Sequence, residues 1–127
     1  VIDWVLRVKD KVSIEDPDEN AINVAKHIIT LLKRYGLRVE KAYVFGSRVR
    51  GDWHELSDLD IIIVSNDFKG LGDAERLKLV LEVIDNKHIE GYSVNFFLYT
   101  VDEFNKALSG GSIALIDASK YWIDLLK

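Results

Sequence analysis

The stretch "SDLDIIIV" (57–64) places two carboxylates, Asp58 and Asp60, two residues apart at the head of an apolar run. Side chains alternate along an extended strand, so the pair points to one face, roughly 6.6–6.8 Å apart. Leu59 and Ile61 then point to the other. Two like charges so placed repel, and the apolar strand behind them offers little compensation. A divalent cation between or above them relieves that repulsion, and oxygen-only ligands suit Mg2+ or Mn2+ rather than Zn2+. A plainer account also fits a bare D-x-D: Ser57 and Asp58 cap a turn, and Asp60 faces solvent.

The loop just upstream, "FGSRVRG" (45–51), has the make-up of a phosphate cradle. Gly46 permits positive φ and close backbone approach. Ser47 brings a hydroxyl, and a short helix beginning there would aim free N–H groups at an anion. Gly51 lets the chain turn back, while Arg48 and Arg50 are candidates either for phosphate contact or for simple solvation. The spacing is not that of a P-loop, and no G-K-[ST] follows. Charge supports the pairing of loop and acids. Lys33, Arg34, Arg38, Lys41, Arg48 and Arg50 face one acid, Glu40, between residues 33 and 50; Asp52, Glu55, Asp58 and Asp60 then follow. That change of sign is what a site joining phosphate to cation requires.

These residues need elements to hold them. "DPDE" (16–19) reads as an Asp16 N-cap, Pro17 at the first helical position and Glu19 closing a capping box. Ala21, Val24, Ala25, Ile28, Leu31, Leu32 and Tyr35 then form one apolar stripe, ended by Gly36. Strands are expected at 38–45, 58–64 and 92–100, the second too continuously apolar for a sheet edge. Helices are expected at 74–84, from the capping box "TVDE" (100–103), and from Ile113 to Leu126; residues 1–14 carry a weak helical pattern whose β-branched content also suits a strand. The order predicts one domain over residues 1–127, α+β (mixed α/β) in class, with a small mixed β-sheet flanked by helices.

"VFGSRVRGDWHELSDLDIIIV" (44–64) resembles the signature of the DNA polymerase β-type nucleotidyltransferase superfamily: a strand, Gly-Ser, then an acidic pair opening the next strand. The chain is most similar to the minimal nucleotidyltransferases of prokaryotes, many encoded beside a HEPN-family partner as antitoxin to its toxin. "FFLYTVDEF" (96–104) extends the likeness to the family's strand and helix start. The resemblance implies a nucleotidyltransferase-like fold, with Gly46 and Ser47 on the distal phosphates of ATP or another nucleoside triphosphate. It also implies Asp58 and Asp60 as catalytic metal ligands for Mg2+ (or Mn2+), and transfer of a nucleoside monophosphate to a hydroxyl. The family's third carboxylate falls at Asn95, which can offer a metal a neutral oxygen but cannot act as a general base. Asn95 closing a strand-start hydrogen bond, or a register that brings in Glu90 or Asp102, are the other accounts of that position.

Composition bounds the rest. The 127 residues are 48 % hydrophobic and 30 % charged, and the net charge is −4. That balance suits a globular chain and argues against general nucleic-acid binding. The absence of cysteine excludes disulfides and thiolate metal sites and fits a reducing compartment. No apolar run approaches the ~20 residues of a membrane span, and no signal-peptide pattern opens the sequence, so the cytoplasm is the expected location. His54, His27 and His88 read as solvated turn, helix-surface and loop residues, and Trp53, within the site loop, is the tryptophan with the best claim to a contact there. Leu115, Ile116, Trp122, Ile123 and Leu125 would give a C-terminal helix more apolar surface than the domain needs, which favours a partner contact or a homo-oligomer. Three functions compete: AMP transfer to a partner protein, a catalytically weakened nucleotide-binding antitoxin that acts by docking, and modification of a small molecule such as an aminoglycoside. The last would need an acceptor pocket that so short a chain builds only as a dimer.

Overall fold

The structure, a computed structural model, describes residues 16–84 and 88–127. The expected helical pattern of residues 1–14 lies outside them.

The first helix, α1, runs Glu19–Arg34 and buries Ala21, Ile22, Val24, Ala25, Ile28, Ile29 and Leu32. Its cap is Asp18, not Asp16: Asp18 Oδ1 accepts from the Ala21 N–H at 3.1 Å. The start moves because the other oxygen of Asp18 accepts from Arg48 Nη1 at 2.7 Å, a contact 30 residues away that fixes which carboxylate can cap. Tyr35 leaves the stripe as well; it is the C-cap and is 70 % exposed.

Strand β1 is Lys41–Phe45, shorter than the expected 38–45. It leads through Gly46 into a single-turn helix α2, Ser47–Arg50. Strand β2, Leu59–Val64, is followed by helix α3, Asp73–Val83, and then by the two-residue β3, His88–Ile89. Strand β4 is Tyr92–Tyr99, and helix α4 is Val101–Lys106. A looser π-type turn (Ala107–Gly111) carries the chain into helix α5, Ile113–Ala118. Strand β5, Ile123–Asp124, completes the order. The five strands form one mixed sheet ordered β3-β4-β2-β1-β5, in which β2 and β4 are parallel and the other neighbours antiparallel.

The continuous apolar run of β2 puts it in the middle of the sheet, covered on both faces. Ile61 and Ile63 pack into the core with α1 and Val80 of α3, whereas Ile62 and Val64 pack with Phe104 and Leu115 on the opposite face. Asp60 is the one member of β2 that is not buried.

The C-terminal segment departs from expectation. Helix α5 stops at Ala118, and the residues beyond it return to the sheet. Trp122 stacks on Tyr43, with ring centroids 4.0 Å apart, and Ile123 pairs with Val44. Leu125 is buried. The apolar surplus that favoured self-association therefore goes largely into this chain's own core. Among the described residues, no helix is long and apolar enough to cross a membrane.

The expected capping box at 100–103 is present. Thr100 Oγ1 accepts from the Glu103 N–H, and Glu103 Oε1 accepts from the Thr100 N–H. Arg76 of α3 reaches across to pair with the same carboxylate. The Arg76 bond, with the Thr100 N–H beside it, holds the Glu103 carboxyl down at about 2. A depressed folded pKa means stability that is full above the ordinary value of 4.5 and is lost as pH falls toward 2. Glu103→Gln keeps the cap acceptor but removes the charge, so it should flatten this acid limb. Urea unfolding at pH 7 and pH 3 should differ less in the variant than in the parent, modestly so because the side chain is 46 % exposed.

Candidate functional site

The site forms where β1 ends, β2 begins and β4 passes alongside. Phe45 and Asp60 are direct partners across β1 and β2, and Asp60 and Asn95 are partners across β2 and β4. Residues opposite one another share a face of the sheet, so pairing alone gathers Phe45, Asp60 and Asn95. Asp58 joins them from the turn just ahead of β2. Asn95 Nδ2 donates to Asp60 Oδ1 at 3.0 Å and to Asp58 Oδ2 at 3.2 Å. Both carboxylates thus converge on one point. Glu90 sits in the β3–β4 turn and Asp102 in the first turn of α4. Among the described residues no third carboxylate or imidazole joins the pair in a metal-binding cluster.

The Asp60 carboxyl is pushed above its usual range, chiefly by burial, with the Asp58 charge adding to the rise. The Asn95 amide and the positive charge of Arg50 pull the other way. A carboxylate that remains raised despite two compensating partners has room for more positive charge nearby. The donor set of Asp58, Asp60 and the Asn95 amide is rich in oxygen and fits Mg2+ or Mn2+ once the amide turns its oxygen inward.

Gly46 brings the loop against the acids. Its backbone (φ 86°, ψ −165°) lies in a region essentially restricted to glycine, and a β-carbon there would stand 2.3 Å from Asp60 Oδ2. Ser47 follows at once as the half-buried first residue of α2. Gly46→Ala should lower stability by about 1–3 kcal/mol. It should also remove any rise in melting temperature produced by ATP with Mg2+, which thermal melts with and without nucleotide would read.

The two arginines separate. Arg50 is exposed at the site side; it donates to Tyr121 Oη at 3.0 Å and to Asp52 Oδ1 at 3.3 Å. Arg48 is 4 % exposed and its guanidinium is engaged elsewhere. It bonds Asp18 Oδ2 at 2.7 Å, the Ser57 carbonyl at 2.9 Å and the Glu55 carbonyl at 3.1 Å, and contacts the rings of Trp53 and Tyr92. Its sequence-based assignment to phosphate contact gives way to a different job: tying α2 to α1 and to the loop that delivers Asp58. Trp53 belongs to this tie, donating to the Asp16 carbonyl at 3.0 Å. His54 is a turn residue, whose Nδ1 accepts from the Leu56 N–H at 3.2 Å. Sequence reasoning did not reach Asp18, Tyr92 or Tyr121. Each meets its arginine over a separation of 30 to 71 residues or through a ring contact, and no local pattern marks such a pair.

A family model described as the nucleotidyltransferase domain matches residues 24–115. The chain is 34 % identical over 76 residues to "Putative protein adenylyltransferase MJ0435" of Methanocaldococcus jannaschii, covering 60 % of this chain and 80 % of that one. It is 35 % identical over 94 residues to "Putative protein adenylyltransferase MJ0604" of the same organism, covering 72 % of this chain and 83 % of that one. A solved structure of a "putative nucleotidyltransferase" from Sulfolobus solfataricus superimposes with a TM-score of 0.56 at 27 % identity, over 70 % of this chain and 75 % of that one.

Proposed function

Because the chain belongs to the nucleotidyltransferase-domain family, we propose that it transfers AMP from ATP to a hydroxyl on a partner protein. Membership of the family and the names of its relatives support nucleotide transfer; the protein acceptor follows those relatives' names, and the earlier resemblance points to a HEPN-family partner. The observation that carries the proposal is the convergence of Asp58, Asp60 and Asn95 beside the Gly46 loop.

In this reading the loop at Gly46 and Ser47 receives the distal phosphates, and Arg50, held by Tyr121 and Asp52, adds positive charge at its rim. Asp58, Asp60 and the Asn95 oxygen would hold Mg2+ (or Mn2+). Bound there, such a cation would neutralise phosphate charge and ease deprotonation of an acceptor hydroxyl. The acceptor oxygen bonds to the α-phosphorus, the bond to the bridging oxygen breaks, pyrophosphate leaves, and the hydroxyl proton passes to water. Positioning and charge supply most of the acceleration.

Radiolabel position tests this. With Mg2+ and a candidate acceptor protein, label on the α-phosphate of ATP should become covalently attached to protein, and label on the γ-phosphate should not. Transfer of γ-label would make the protein a kinase and end the proposal. A second reading, a nucleotide-binding antitoxin that acts by docking with little turnover, draws on Asn95, whose amide cannot take a proton. In that case ATP binds, no label is transferred, and the partner is neutralised without nucleotide.

A further inference from the structure

We propose that Phe97, braced by Phe45, is the platform on which the base of the bound nucleotide stacks. The inference rests on the nucleotide reading of the site and adds a residue that no motif in the loop or the acidic pair supplies.

Residues 95 and 97 lie two apart on β4, so Phe97 shares the Asn95 face, roughly 6.6–6.8 Å further along the strand. Phe45, the cross-strand partner of Asp60, occupies that same face. The two rings meet over β2 in an edge-to-face arrangement, with centroids 5.2 Å apart and planes at 62°. Phe97 remains 38 % exposed, one of few large apolar side chains among the described residues that do. An edge-on brace fixes the ring while leaving an aromatic surface for another flat ring.

The order of groups across the sheet selects the ligand part. The phosphate loop lies at the β1 end, the carboxylates on β2, and Asn95 with Phe97 on β4. A nucleoside triphosphate is also linear: its terminal phosphate and its base are opposite ends, with the α-phosphate between. Terminal phosphates at Gly46 and the α-phosphate at the acids direct the nucleoside toward β4.

Calorimetric titration of the full chain with ATP and with inorganic tripolyphosphate, both with Mg2+, tests the proposal. The parent should bind ATP more tightly than tripolyphosphate. Phe97→Ala should weaken ATP roughly tenfold, as expected for one lost base–aromatic stack, and leave tripolyphosphate unchanged. Phe97→Trp should restore ATP binding. If the parent binds both ligands and Phe97→Ala binds ATP as well as the parent does, the base lies elsewhere, while the nucleotide reading stands. Equal weakening of both ligands would show Phe97 shaping the phosphate site and would also overturn the proposal. A parent that binds neither would remove the nucleotide reading, and this inference with it.

Discussion

Asp58→Asn and Asp60→Asn are each expected to reduce transfer of α-label by a factor on the order of 10²–10³ or more, the scale of losing one directed electrostatic group. Neither should unfold the protein. Asp58 is exposed, and the Asp60 carboxyl sits above its ordinary range mainly because burial disfavours its charge. A carboxyl whose folded pKa is raised binds its proton more readily in the folded state. Its charged form therefore weakens the fold increasingly as pH rises through the ordinary carboxylate value. Replacing Asp60 by a neutral isostere should hold or slightly raise stability at pH 7 while activity collapses, the trade expected where function maintains an unfavourable arrangement. Thermal melts beside the label assay read both halves. Activity that survives either variant would take these residues out of the chemistry.

Arg48→Ala should have the largest effect on stability. It leaves the Asp18 carboxylate charged, 7 % exposed and without its partner, and strips the carbonyls of Glu55 and Ser57 of their donor. Breaking a buried ion pair from one side costs about 3–5 kcal/mol, a large share of the roughly 5–15 kcal/mol that holds a domain folded. Removing both charges, Arg48→Met with Asp18→Asn, should recover much of that loss, since no unpaired charge remains. Urea midpoints at unchanged slope would show it. A single-variant cost within the range of a surface substitution would mean that the pair does not hold the loop.

The parts of the fold legible in the sequence are those whose cause is local. The apolar run of β2 announces a central strand, the Thr100–Glu103 box starts α4 as expected, and the two-residue spacing of Asp58 and Asp60 places them together. The place of Asn95 beside Asp60 came from the family resemblance, and the parallel register of β2 and β4 pairs the two residues. What escaped depends on distant partners. Asp18 rather than Asp16 caps α1 because Arg48 claims it, and α5 ends early because Tyr43 offers Trp122 a ring to stack on. Arg48 and Arg50, two residues apart in a basic loop, look equivalent in sequence, yet Asp18, Trp53 and Tyr92 take one while Tyr121 and Asp52 take the other.

Asp60 hangs from a strand in which every other residue is buried and both flanks are laddered to neighbours. A shape change in that strand is a poor way to aim its carboxylate. In the transfer proposed above, fine alignment therefore falls to the acceptor and to the exposed Asp58 and Asn95 rather than to the strand.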